Sequence, residues 1–276
     1  MSDPVAPGPP PAEPSWQPPA GPPAPPPALS ADLPDGPEGG VALTAVPWTL
    51  GGAGMLILAM FAMTMVAAVL ADFARRMGLT GVAFTLFLGL ALSAGYLVLL
   101  GVVWLVARWN EVAFDEAVGI RPASTRAFLG GVLLAVVAGR VAAGVWGVAL
   151  QYFDVTLPGQ DIDPSRLFPP GVVGIVMAFV VAVVLAPLTE EIVFRGILLS
   201  SLDRRWGATA AIVGSSALFA AMHVSPYAIP PIFVLSLVLG WLFVRTRSLT
   251  VCIVAHAAFN GLGLAALYAL KATGVL

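Results

Sequence analysis

From Trp48 onward the chain alternates long apolar stretches with short polar connectors. The apolar stretches are mostly about 17–25 residues long, the length an α-helix needs to cross a hydrocarbon core of about 30 Å at about 1.5 Å per residue. They run from Trp48 to Leu70, Ala83 to Val106, Phe128 to Tyr152, Gly171 to Leu199, Ala208 to Met222, Pro231 to Val244 and Thr250 to Leu270. The pattern predicts an all-α fold, a polytopic transmembrane bundle of about seven helices. Because the fifth and sixth stretches are short enough to be tilted, broken or re-entrant, the range is about six to eight. Connectors such as Arg108 to Arg126 and Asp154 to Arg166 separate the stretches, and Pro169-Pro170 breaks the chain ahead of the fourth.

Residues 1–44 have a different texture, with most of the chain's prolines, several acids and no Lys or Arg. Such a segment buries too little apolar surface to offset its ordering entropy, so it is expected to be a disordered, partly polyproline-II tail ahead of a transmembrane domain over 45–276. It lacks the basic n-region of a secretory signal, and the run beginning at Trp48 is expected to be a retained helix.

Composition agrees with lipid as the solvent. Hydrophobic residues make up 59% and charged residues 10%, against about 25% charged in soluble domains, and the mean hydropathy is +0.94. The net charge of -2 and the lack of a Lys/Arg run argue against nucleic acid as a partner. Cys252, the single cysteine, sits in an apolar run and reads as a small packing residue. With seven spans, Arg108, Arg121, Arg126, Arg204, Arg205, Arg245 and Arg247 fall on the N-terminal side of the membrane. The positive-inside rule then predicts a cytoplasmic N-terminus, against the pull of Arg75-Arg76 on the other side.

An ionisable side chain at mid-bilayer costs about 2.5–3.5 kcal/mol or more, so each one needs a reason to be there. The apolar spans hold Arg140, Glu190, Glu191, Arg195, His223 and His256, together with the amide of Asn260. Arg140, with no motif around it, reads as a structural or snorkelling residue. Glu191 and Arg195, Phe219 and His223, and His256 and Asn260 are each one turn apart and share a helical face. Glu191 precedes Arg195 in the favourable order for an intrahelical pair. Glu190 points about 100° away, toward a different neighbour. Any one of these pairs alone is ordinary helix packing; their coincidence on three late helices, using both histidines of the chain, predicts a shared polar site.

Peptide hydrolysis needs a base to activate water, donors for the developing oxyanion and an acid for the leaving amine. Glu190 and His223 suit the first task, and His256 and Asn260 the second. The segments Glu190-Glu191-Ile-Val-Phe-Arg195, Phe219-Ala-Ala-Met-His223 and His256-Ala-Ala-Phe-Asn260 resemble the EExxxR, FxxxH and HxxxN motifs of the CPBP (Abi) family. That family contains the type II CAAX prenyl endopeptidases and bacterial relatives linked to bacteriocin processing or immunity. The resemblance covers about residues 170–270 and includes the connector Gly240-Trp-Leu-Phe-Val-Arg-Thr-Arg-Ser-Leu249. It implies an intramembrane endopeptidase acting on a membrane-associated protein or peptide, in which Glu190 and His223 activate water. His256 and Asn260 would line the oxyanion site, with Glu191, Arg195 and Phe219 supporting the geometry.

No cofactor is expected. Zinc is the alternative, since two histidines and a glutamate are a possible ligand set, although no HExxH segment is present. A serine protease reading of Gly214-Ser215-Ser216 fails because Ala217 stands where that motif needs glycine. A non-catalytic immunity or scaffold protein that keeps the site for binding is the alternative from another class, and a transporter using the buried charges as a relay is a further one. The Ala/Gly/Pro-rich composition points to a bacterial cytoplasmic membrane. The substrate, and whether it is lipidated, are not legible in the residues, and neither is the oligomeric state.

Overall fold

The computed structural model describes residues 43–46, 48–160 and 163–274. The proline-rich tail assigned to residues 1–44 therefore lies outside the described residues, apart from Leu43 and Thr44, both of which are buried. The described chain is helical, with no strand in it: α1 Leu50–Arg76, α2 Gly81–Trp109, a short α3 Phe114–Val118 and α4 Thr125–Tyr152. A 3-10 turn, Pro164–Arg166, precedes α5 Val172–Ala178. Then come α6 Ala186–Glu191, α7 Ser200–Ala221, α8 Ile229–Thr246 and α9 Leu249–Ala272. Six continuous helical runs are long and apolar enough to cross a membrane.

The fourth of these runs, Val172–Ala221, is 50 residues long. Straight, it would reach about 75 Å at about 1.5 Å per residue, more than twice the hydrocarbon thickness. Gly207 breaks it, with φ 78 and ψ 166, a backbone region that is essentially glycine-only. The chain turns back there, so that the rings of Phe194 and Phe219 lie 5.0 Å apart. Seven helical rods result, in line with the seven apolar stretches of the sequence. The connector expected over residues 200–207 is, however, helical up to Trp206, and α3 stands inside the connector expected from Arg108 to Arg126.

Helices start and stop for local reasons. The Thr49 hydroxyl accepts from the Gly52 amide at 3.0 Å, capping α1, and Ser124 does the same for α4 at 3.3 Å from Ala127. Arg75 and Arg76 close α1 where a helix C-terminus and lipid headgroups both favour cations. Leucine, valine and methionine on the outer faces of α1, α2 and α4 stay exposed, for example Met55 at 73% and Leu133 at 64%. In lipid such faces need no cover.

α4 packs on α8 and α9 through a stripe of buried small residues, Gly131, Ala135 and Gly139. A Cβ at Gly139 would come within 2.7 Å of Phe259, and one at Gly131 within 2.9 Å of Val251. Small residues at one-turn spacing let helix backbones approach closely in a membrane. One end of the bundle is tied by Trp48: its indole N–H donates to the Ala117 carbonyl at 2.7 Å, and its own carbonyl accepts from Ser201 and Arg204. At the other end the 153–171 connector is held to α9, where the Tyr268 hydroxyl donates to the Phe168 carbonyl at 2.6 Å and Lys271 pairs with Asp163 at 2.9 Å.

Candidate active site

The helix that carries the two glutamates is wound loosely on both sides of them. Phe179–Leu185 and Ile192–Leu199 are π-helical, with α6 between, and π-helical turns recur at functional sites. Pro187 explains part of this. At the end of the first π segment the Ala186 amide donates five residues back, to the Val181 carbonyl. The next residue, Pro187, has no N–H, so in this register the Ala182 carbonyl lacks a backbone donor. The Asn260 amide of α9 fills that position, donating from Nδ2 to the Ala182 oxygen at 2.9 Å.

Glu191 is fully buried and turned inward. Its Oε1 accepts from Arg195 Nη1 at 2.9 Å and lies 2.8 Å from His256 Nδ1. An oxygen that already accepts from a guanidinium is a carboxylate oxygen, so His256 carries its proton on Nδ1 and donates it. Arg195, 1% exposed, extends the clamp to α8, where Nη2 donates to the Ser236 hydroxyl at 2.8 Å. It also lies 4.6 Å over the Phe219 ring, a favourable place for a cation.

Glu190 points elsewhere, as its 100° offset from Glu191 requires. Its side chain keeps 17% of its surface, with Oε2 3.8 Å from His256 Nε2. Phe219 ties the remaining members together. Its ring meets those of His223 at 5.0 Å and His256 at 5.7 Å, and its carbonyl lies 3.0 Å from His223 Nδ1. A carbonyl only accepts, so His223 is protonated on Nδ1 and its Nε2 is left as an acceptor. His223 is exposed, and the following Val224 has φ 53. A β-branched residue in the left-handed region is strained, a feature that clusters at functional sites. His223 and Glu190 form no direct ion pair among those found in the described residues.

The structure thus links Glu190, Glu191, Arg195, Phe219, His223 and His256 through side-chain contacts, with Asn260 one turn along α9 from His256 and bonded to the Ala182 carbonyl. Residues 172–262 match the family model described as Type II CAAX prenyl endopeptidase Rce1-like. This site-bearing segment belongs to that family. The match bears out the resemblance read from the three motifs, and with the membrane-crossing helices it marks the protein as a multi-pass membrane protein with a CAAX-type intramembrane endopeptidase segment. No curated protein and no solved structure matches the chain.

Helices α1 to α4 lie outside the Rce1-like segment, yet Tyr96 of α2 packs with Phe168, Ala178 and Val181 beside the helix that carries the glutamates. Tyr96, Ser236 and Pro187 went unnoticed in the sequence, where a lone polar residue in an apolar run has no partner to identify it. Ser215 and Ser216 are buried in α7, the former donating to the Ile212 carbonyl, as befits packing residues.

Zinc needs three converging protein ligands. Among the described residues no three His, Cys, Asp or Glu side chains form such a group. Each histidine is held at Nδ1, by Glu191 in one case and by the Phe219 carbonyl in the other, which leaves Nε2 as the free ring nitrogen of both. The chemistry proposed below uses the side chains alone.

Proposed function

We propose that the protein is an intramembrane endopeptidase of glutamate type, which hydrolyses a peptide bond of a membrane-associated protein or peptide. The observation that carries this reading is the division of labour between adjacent carboxylates. Glu191 is fully buried, with Oε1 held by both Arg195 and His256, whereas Glu190 remains partly open beside His256 Nε2. A purely structural pair would not require one carboxylate to stay available.

In this mechanism water sits between Glu190 and His223 Nε2. Glu190 takes a proton from it, the oxygen bonds to the scissile carbonyl carbon, and the carbonyl electron pair moves onto oxygen. The second N–H of Asn260 donates to that oxyanion. His256 lines the oxyanion site, its ring held through Nδ1 by Glu191. Glu190 then returns the proton to the leaving nitrogen as the C–N bond breaks, giving a carboxylic acid and an amine. A positioned general base contributes about 10²–10⁴-fold, and one oxyanion donor about 10²–10³-fold.

The test is cleavage of quenched peptides, lipidated and plain, by purified wild type, Glu190→Gln and His223→Ala, with and without a chelator. The proposal expects both variants to lose at least about 10²-fold in kcat/KM while the wild type keeps its rate in chelator. Chelator loss restored by zinc would replace the glutamate mechanism with a metal one. A folded wild type that cleaves no better than Glu190→Gln would favour the immunity or scaffold reading.

A further inference from the structure

Arg140 stands near the middle of α4 and is exposed there, at a depth where a cation is costly. It does not stretch along its helix toward the membrane surface. Its Nη2 donates to the Phe259 carbonyl of α9, and its Cζ lies 4.2 Å over the Phe259 ring. α9 makes room for it, since a Cβ at Gly263 would sit 2.8 Å from Nη2 and 3.3 Å from Nη1.

This docking point belongs to the site face of α9. With about 100° per residue, Asn260 lies about 40° to one side of His256, and Phe259 and Gly263 lie about 60° and 20° to the other. The guanidinium touches the carbonyl of the residue next to Asn260. It therefore flanks the two α9 site residues, within about one turn of them along the axis.

A guanidinium has five N–H donors, and among the described residues one hydrogen bond is found for it. Arg140 takes part in none of the ion pairs found among the described residues. A cation held at this depth, exposed and with donors to spare, is built to receive an anion, and the planar fork of arginine matches a carboxylate. We propose that Arg140 is the anion-recognition residue of this site and binds a carboxylate of the peptide substrate, from its C-terminus or from an acidic side chain, beside Asn260. The proposal rests on the peptidase reading for calling the ligand a substrate.

Binding tests it without relying on turnover. Full-length Glu190→Gln protein in nanodiscs of neutral lipid is titrated with fluorescent peptides in two matched pairs, C-terminal acid against C-terminal amide and internal Glu against internal Gln. One acid should bind about tenfold tighter than its neutral partner, the scale of a charge-assisted pair, and which pair shows the gap identifies the carboxylate. Adding Arg140→Gln should abolish the gap by weakening the acid alone, and Arg140→Lys should keep part of it. Gly263→Ala, which displaces the guanidinium without removing its charge, should shrink the gap too and covers the case in which Arg140→Gln fails to fold. A gap that survives Arg140→Gln, equal loss for acid and neutral peptides, or no gap with Arg140 present would each overturn the proposal. So would an Arg140 effect seen only with anionic lipid. If wild type cleaves nothing while the Arg140-dependent gap persists, the peptidase reading fails and the carboxylate site stands.

Discussion

In α1 and α2 the hydroxyls of Thr64, Thr85 and Ser93 each donate to the carbonyl four residues earlier in their own helix, at 3.1, 3.0 and 2.7 Å. In the stretch from Glu190 to Ser201 the hydroxyls of Ser200 and Ser201 also bond back, to the Arg195 and Ile197 carbonyls, but here polar side chains reach other elements as well: Arg195 to Ser236, Glu191 to His256, Ser201 to Trp48. Both regions are apolar helix in a bilayer, where an unpaired polar atom is costly, and around the glutamates Thr189 Oγ1, Glu191 Oε2 and Arg195 Nε are buried without a hydrogen bond among the described residues. What separates them is where the partner lies. A side chain bonded to its own backbone costs its neighbours little and fixes nothing between helices. One bonded across helices fixes register, and where several converge they hold groups such as Glu190 and His223 in place while leaving them open.

The sharpest way to break this comparison is Arg195→Ala. It leaves the Glu191 carboxylate buried with only His256 beside it and also removes the link to α8. Breaking a buried pair from one side costs about 3–5 kcal/mol. Unfolding in micelles should show that loss, with Glu191→Ala/Arg195→Ala recovering part of it because no lone charge remains. Equal stability for Arg195→Ala and wild type would mean that the clamp holds nothing together.

Asn260→Leu comes next. It strips the part-buried Ala182 carbonyl of the donor that stands in for the missing Pro187 N–H, and leaving such a group unsatisfied costs up to about 1–3 kcal/mol. Replacing Pro187 by Ala in the Asn260→Leu background restores a backbone N–H in that register and should return part of the stability but not the cleavage rate. If instead the rate also recovered, Asn260 would act only through the shape of the π-helical turn and not on the oxyanion.

These two residues also show what was legible in the residues and what was not. Glu191 with Arg195 was readable because both lie on one helix, where spacing alone determines a shared face. The bundle of seven rods was readable because apolar length is set by bilayer thickness. The Glu191–His256 contact was not, since it joins residues on different helices and no periodicity reports on that. Motif resemblance placed His256 and Asn260 at the site, but not the engagement of Asn260 with Ala182, which depends on a change from i→i−4 to i→i−5 bonding near a proline. Gly207 escaped notice for a different reason: one residue in a glycine-only conformation suffices to turn the chain, so no polar connector was needed where one was expected.

A smaller effect concerns the rim of the bundle. Hydrogen bonds from Lys271, then from Ser165, lower the pKa of the Asp163 carboxyl from 3.8 to about 2. A carboxyl with a depressed folded-state pKa contributes stability that is fully present above its unfolded value and is lost as pH falls through the folded one. The tie between the 153–171 connector and α9 should therefore be unchanged from neutral pH to about pH 4 and loosen between about pH 4 and 2. Hydrogen exchange over that connector should rise in that window in wild type, whereas Lys271→Met should show the faster exchange already at pH 7. A connector equally protected in both proteins would mean that Tyr268 and Phe168 hold it without the ion pair.

The smallest expected effect is the most direct test of the contrast between regions. Thr64→Val and Ser93→Ala each delete a hydroxyl whose only bond is to its own helix, and the carbonyl it leaves keeps its ordinary backbone donor. Each should change stability by no more than about 0.5 kcal/mol and leave cleavage untouched. Ser236→Ala deletes a hydroxyl just as small, but one that receives Arg195 Nη2. Hydrogen bonds to charged groups are worth about 1.5–3 kcal/mol, so this variant should be clearly less stable than either of the others, under the same assay and with the same number of atoms removed as Ser93→Ala. If all three behaved alike, the destination of a polar bond would not matter in this bundle, and the case for a site organised by cross-helix bonds would lose its physical basis.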